Sequence, residues 1–141
     1  MSEYNKVLPV SDMWTRDYWE GAKRHELILK RCSACDFYIH PPMPTCPRCQ
    51  TEDVRSAVVS GKGAIYSFTV MHHIGNPGFD EELPYAVVIV ELDEQKGLLT
   101  VGNLLDCPLD RIQIGMTVEV TYQDVTEEVT LPQFQPVRAA G

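Results

Sequence analysis

Four cysteines carry the clearest chemistry in this chain: Cys32-Ser-Ala-Cys35 and Cys46-Pro-Arg-Cys49, two C-x2-C pairs separated by ten residues. Each pair can fold into a tight knuckle that aims two thiolates at one ion while nearby backbone N–H groups point at the sulfurs. Four such thiolates form the tetrahedral cage that Zn²⁺ favours, with Zn–S near roughly 2.3 Å. Protein then fills every coordination position, so the expected site is structural rather than catalytic. Zinc can supply roughly 10 kcal/mol or more to a small module. Such support is needed here, because Pro41, Pro42, Pro44 and Pro47 prevent helix and central strand between the pairs.

Iron is the main competitor for this site. Rubredoxin-type electron carriers use the same paired knuckles, and Tyr38 lies close to the first pair. Those carriers usually place Gly after each pair, where this chain has Asp36 and Gln50. Asp tolerates a left-handed backbone and Gln does so less readily, which weighs against the redox reading.

The remaining chemical candidates are weaker. His72 and His73 end an expected strand, but no partner is specified for acid–base work. Cys107 stands alone between Asp106 and Pro108, more in the manner of a small core residue than of an oriented nucleophile. Asp80, Glu81 and Glu82 read as a solvated loop. Gly61-Lys62-Gly63 lacks the third glycine and the following helix of a phosphate loop, and is expected to mark a strand start.

The elements that must position these groups are mostly strands. Ser11 is the expected N-cap of a helix that carries Trp14, Tyr18 and Ala22 as one stripe and ends near residues 21–25. Glu26 to Arg31 reads as a strand into the first cysteine pair, and Thr51 to Arg55 as a linker. Ala64 to His72 is expected to place Ala64, Tyr66, Phe68 and Val70 on one face, and the nearly all-apolar Tyr85 to Leu92 to be central. Leu98 to Leu105 follows a turn at Gln95 to Gly97. A short helical turn at Pro108 to Ile112, with Asp106 as cap, precedes strands at Thr117 to Gln123 and Leu131 to Val137. Five strands with a short helix between the third and fourth is the order of an OB-fold barrel. The expected fold is therefore mainly β: an N-terminal helical segment (1–28), a zinc ribbon (29–53) and a five-stranded OB-fold barrel (54–141).

The 141 residues are 44% hydrophobic and carry a net charge of −8, which disfavours wrapping along nucleic-acid phosphates. Neither a signal-peptide core nor an apolar run of about 18 residues is present, so the chain reads as cytoplasmic, with no membrane partner. In that reducing setting, paired cysteines point to metal rather than disulfide.

The order and spacing of several fragments resemble one family. They are Trp14 to Trp19, Leu29-Lys30-Arg31-Cys32-Ser33-Ala34-Cys35, Pro41-Pro42, Cys46-Pro47-Arg48-Cys49, Gly61-Lys62-Gly63, Tyr66-Ser67-Phe68-Thr69-Val70, Pro77-Gly78-Phe79, Pro84-Tyr85, Val90-Glu91-Leu92, Ile114-Gly115-Met116 and Leu131-Pro132-Gln133-Phe134. Together they resemble the acyl-CoA-associated proteins with an N-terminal rubredoxin-like zinc ribbon and a C-terminal OB-fold, long catalogued as a domain of unknown function. The resemblance implies a noncatalytic subunit that docks onto a thiolase-superfamily enzyme, an acyltransferase or side-chain aldolase of lipid or steroid metabolism. It also implies a CoA thioester ligand at the barrel. Phe68, Phe79 and Tyr85 would then line the barrel mouth for pantetheine or acyl groups, with Lys62 or Arg48 near the phosphates. Some relatives serve hydratases of the hot-dog fold instead. A homodimer through the aromatic helix and an obligate pairing with the enzyme both remain open. Two other classes compete: a single-strand nucleic-acid binder that stacks bases on Tyr66 and Phe68, and a free-standing thioesterase or hydratase using His72 or His73.

Overall fold

Helix α1 (Arg16–Lys23) follows a turn that Asp12 and Thr15 close reciprocally. Thr15 N–H donates to Asp12 Oδ1 at 2.9 Å, while Asp12 N–H donates to Thr15 Oγ1 at 3.1 Å. Thr15, and not the expected Ser11, occupies the cap position of the helix, and the Asp12 carboxylate also accepts from the Trp14 N–H at 2.9 Å. The helix stops where His25 N–H donates to the Ala22 carbonyl and Glu26 N–H to the Gly21 carbonyl, both at 2.9 Å. That closing motif needs a left-handed residue, and His25 supplies it at φ +60° where glycine is usual. The strain of roughly 1–2 kcal/mol is offset by a strap to the barrel. The His25 ring stacks on Tyr122 at 4.9 Å, and its Nε2 lies 3.1 Å from Asp124 Oδ1.

In this computed structural model, which describes residues 8–72 and 83–137, two antiparallel sheets follow the helix. The first has the order β2-β1-β3, with β1 (Leu27–Cys32) between β2 (Tyr38–Ile39) and β3 (Val54–Val59). Val54 and Arg55 thus belong to a strand, paired with Cys32 and Arg31, and not to the expected linker. One face of this sheet carries Leu27, Leu29 and Val59 into the barrel core. The other face meets α1 through Lys30, whose Nζ donates to Asp17 Oδ2 at 3.2 Å and to Ser56 Oγ at 2.9 Å. Tyr18 divides the aromatic stripe: its ring stacks on His40 at 5.6 Å and packs against the barrel core, while Trp14 stays 44% exposed.

The second sheet has the order β6-β5-β4-β7-β8, formed by β4 (Lys62–Met71), β5 (Tyr85–Leu92), β6 (Leu99–Asn103), β7 (Thr117–Asp124) and β8 (Thr130–Pro136). A parallel bridge between Leu104 and Phe134 closes it toward a barrel, and a 3-10 turn at Leu109–Arg111 separates β6 from β7. This is the expected OB-fold order. Asp106 does not cap the turn; it sits at φ +57°, and Pro108 occupies the cap position. The glycine pair of Gly61-Lys62-Gly63 is explained sterically. Gly61 turns the chain at φ +77°, and a Cβ on Gly63 would lie 2.2 Å from the Glu91 carbonyl oxygen.

A bulge between Ile65 and Ser67 corrects the expected face of β4. Ile65 is buried, Tyr66 is 55% exposed, and beyond the bulge Phe68 pairs with buried Val88. The extra residue shifts the alternation by one, so Tyr66 and Phe68 do not share a face. In β5, Ala86, Val88, Val90 and Leu92 fill the core, whereas Tyr85, Val87 and Ile89 are only half-buried.

Hydrogen bonds from Ser56 and then Lys30 hold the Asp17 carboxyl below its ordinary 3.8. A depressed carboxylate stabilises the fold above the unfolded value and ceases to do so as pH falls through the lower folded one. Asp17→Asn is expected to cost about 1 kcal/mol at neutral pH, as a part-exposed charge-assisted contact. Urea titrations of the two forms should converge once the pH falls well below 3.8.

Candidate metal centre and barrel surface

The two cysteine pairs fold into matched knuckles. In the first, Cys32 N–H donates to the Phe37 carbonyl at 2.8 Å and Asp36 N–H to the Cys32 carbonyl at 2.9 Å. In the second, Cys46 N–H donates to the Thr51 carbonyl and Gln50 N–H to the Cys46 carbonyl, each at 2.9 Å. Both knuckles turn on a left-handed residue, Asp36 at φ +64° and Gln50 at φ +65°. Gln50 therefore adopts the conformation that its residue type disfavours, because the second knuckle has the same hydrogen-bond pattern to satisfy.

The four sulfurs lie within 4.8 Å of one another, with Cys32 to Cys49 at 3.5 Å and Cys35 to Cys46 at 3.7 Å. A tetrahedron of sulfurs about 2.3 Å from a central ion has edges of about 3.8 Å, so the cage fits zinc. Ala34 and Cys35 N–H groups donate to Cys32 Sγ at 3.3 and 3.4 Å, orienting the sulfur within the cage. Burial pushes the Cys46 thiol up, but N–H donation from Cys49 and Arg48 and the neighbouring thiols outweigh it, lowering it to about 7. Cys32, Ile39 and Cys46 form a small buried cluster, joined by Phe37 and Val54. Four protein sulfurs leave no open position, and the centre is a structural zinc site.

The other sequence-derived site residues are spread over the molecule. Arg48 is exposed, its guanidinium 5.8 Å from the Phe37 ring centre. Lys62 is exposed at the start of β4, opposite Glu119. Phe68 packs toward the core, while Tyr85, paired with Met71, lies on the opposite face of the same ladder. Phe79 and His73 fall outside the described residues, as do Asp80, Glu81 and Glu82. His72 is exposed beyond the end of β4, and Cys107 Sγ donates to the neighbouring Pro108 carbonyl at 3.5 Å.

Sequence reasoning missed the joint between ribbon and barrel. The Gln95 side chain accepts from Tyr38 N–H at 2.8 Å and donates to the Tyr38 carbonyl at 3.0 Å, acting as a one-residue strand along the edge of β2. A glutamine in a turn carries no signal of that kind.

Comparison with known proteins follows the same division. Residues 19–55 match the family profile described as the ChsH2 rubredoxin-like zinc ribbon domain, and residues 57–123 that of the ChsH2 C-terminal OB-fold domain. A DUF35 domain-containing scaffold protein of Methanocaldococcus jannaschii is 31% identical over 87% of this chain and 86% of its own length. A probable enoyl-CoA hydratase alpha subunit of Thermomonospora curvata is 41% identical over 84% of this chain. The alpha subunit of 3-oxo-4,17-pregnadiene-20-carboxyl-CoA hydratase from Mycobacterium tuberculosis is 34% identical over 82% of the chain. The match spans only 36% of each of these two hydratase subunits. Among solved structures, one described as the Ltp2-ChsH2(DUF35) aldolase superposes with a TM-score of 0.82 at 38% identity, covering 92% of this chain and 98% of that one. A DUF35 protein of unknown function from Sulfolobus solfataricus shares the fold at a TM-score of 0.60 and 12% identity.

Two outcomes are expected at the metal centre. Elemental analysis should find one zinc per chain, and Cys46→Ser should abolish stoichiometric zinc together with the cooperative melt of the ribbon. Gln50→Gly should relieve the left-handed strain and raise stability by about 1 kcal/mol in a denaturant titration of the zinc-loaded protein, whereas Gln50→Ala should not.

Proposed function

We propose that this chain, which belongs to the ChsH2/DUF35 family of zinc-ribbon and OB-fold proteins, is a noncatalytic accessory subunit that docks onto a thiolase-superfamily enzyme acting on acyl-CoA in lipid or steroid metabolism. The observation that carries this reading is the near full-length likeness, at 38% identity, to the DUF35 chain of a solved aldolase described by two components, Ltp2 and ChsH2. The saturated metal site agrees with it: four thiolates hold the fold and leave no coordination position for a substrate.

The chemistry of the barrel also favours a protein partner over nucleic acid. Lys62 is the one Lys or Arg in the five barrel strands, too little positive charge to track a phosphate backbone. We extend the proposal to CoA thioester contact, with the exposed Lys62 and Arg48 facing phosphates and Tyr85 offering apolar surface, whereas Phe68 packs toward the core on the other face of the ladder and is not part of that surface. Among the described residues no helix is long and apolar enough to cross a membrane, which accords with work in the cytoplasm.

The hydratase alpha subunits among the relatives support a second reading, service to a hot-dog-fold enoyl-CoA hydratase. Affinity capture of the tagged chain from its native cell, followed by co-expression of the captured enzyme, separates the two. A thiolase-like protein that co-elutes in fixed ratio, and whose acyl-CoA turnover rises with this chain present, is the expected result. Recovery of a hot-dog-fold hydratase would favour the second reading. Turnover of acyl-CoAs by the purified chain alone, abolished by His72→Ala, would refute the accessory role.

A further inference from the structure

The four cysteines of the cage are not equally guarded. Cys32 and Cys46 are fully buried, Cys35 is half-buried and Cys49 is exposed. Pro47, Arg48 and Gln50 around Cys49 are exposed as well, so this corner of the cage faces solvent. Hydrogen bonding follows the same gradient. Cys32 Sγ accepts from the N–H groups of Ala34 and Cys35, and Cys46 Sγ from those of Arg48 and Cys49. Cys35 and Cys49 each take one backbone N–H bond, from Phe37 and Thr51. Donation into a sulfur lone pair lowers its nucleophilicity. Cys49 therefore combines the least burial with the least donation.

A second sulfur is already in place beside it. Cys32 Sγ lies 3.5 Å away across the two knuckles, closer than the 3.7 Å between Cys35 and Cys46. Metal ligation keeps both sulfurs as thiolates, the form that attacks oxidants. An accessible thiolate with a second thiolate in contact is the arrangement that carries oxidation to a disulfide rather than to higher acids. Cys107 lacks it, standing outside the cage and donating to the Pro108 carbonyl. Cys32 is also the last residue of β1, whose Leu27 and Leu29 sit in the barrel core. A bond between Cys32 and Cys49 would keep that strand tied to the second knuckle after the ion has left.

We propose that Cys49 is a peroxide-reactive thiolate whose oxidation to a disulfide with Cys32 releases the zinc, so that the ribbon is a reversible redox switch as well as a scaffold. The Cys49 sulfur attacks hydrogen peroxide; an S–O bond forms, the O–O bond breaks, and a sulfenic acid and hydroxide result. The Cys32 thiolate then attacks the Cys49 sulfur, forming the S–S bond as the S–O bond breaks and a second hydroxide leaves. Two electrons pass from the two sulfurs to the peroxide, and the hydroxides take their protons from solvent. Zinc stays divalent throughout. Cys35 and Cys46 remain as half of a tetrahedral ligand set, too little to hold the ion. A dithiol reverses the bond by exchange and restores the cage.

The test uses the full zinc-loaded chain and hydrogen peroxide, with released zinc followed by a chromogenic chelator and disulfides mapped by peptide mass spectrometry. Wild type is expected to release zinc as a Cys32–Cys49 disulfide appears, and to regain it with dithiothreitol and added zinc. Cys107→Ser should behave as wild type. Cys49→His, which keeps a fourth zinc ligand but removes the reactive sulfur, should load zinc and release it about tenfold more slowly. Retention of zinc by peroxide-treated wild type would overturn the proposal. So would equal release from wild type and Cys49→His, or a first disulfide joining Cys46 to Cys49 or Cys35 to Cys46. If Cys49→His does not load zinc, the wild-type disulfide map decides alone.

Discussion

The tetrathiolate cage fixes one end of β1, and most of the architecture follows from that. Cys32 is the last residue of the strand, and Leu27 and Leu29 near its beginning sit in the barrel core. One six-residue strand thus runs from the metal into the hydrophobic interior. Without the ion, four crowded thiols would compete with their own knuckle hydrogen bonds. The prolines between the pairs also offer no regular ladder as a substitute. Loosening Cys32 would reach the barrel through Leu29, so metal and barrel core are a coupled system.

Three contacts around that strand make the coupling rigid, and they differ in kind. On the helix side, Lys30 bridges Asp17 and Ser56, holding α1 against the ribbon with one half-buried side chain. At the helix end, His25 takes a strained backbone and places its ring on Tyr122. At the other edge, the Gln95 amide completes the hydrogen bonding of Tyr38. Each joins residues distant in sequence. The ribbon is therefore clamped from two sides, an arrangement suited to presenting a surface of fixed shape.

How much of this was legible in the sequence depends on whether the signal was local. The cysteine spacing reported the metal site because knuckle geometry is set within six residues. The strand Tyr85 to Leu92 was read with its observed bounds, since an unbroken β-branched run has few alternatives. The first two residues of β3, Val54 and Arg55, were read as linker, because so short a stretch cannot be told from loop without its partner β1. The bulge at Tyr66 was invisible for a related reason: period-two counting assumes an uninterrupted ladder, and one inserted residue reverses every later side chain. Gln50 marks the opposite limit. Its residue type argued against a left-handed turn, and the second knuckle's hydrogen bonds overrode that preference.

The same distinction between local propensity and long-range demand bears on function. A residue that obeys its local preference says little about role, since folding alone accounts for it. Val101 and Tyr66 do not obey: a soluble β-protein ordinarily places polar groups on the outward positions of such strands, and these outward positions are apolar and open. The metal centre is already explained by stability and the glycine pair by sterics. What folding leaves unexplained is the openness of such apolar positions on an acidic barrel, a composition found at interfaces, whereas unexplained buried polar groups would have pointed to a substrate.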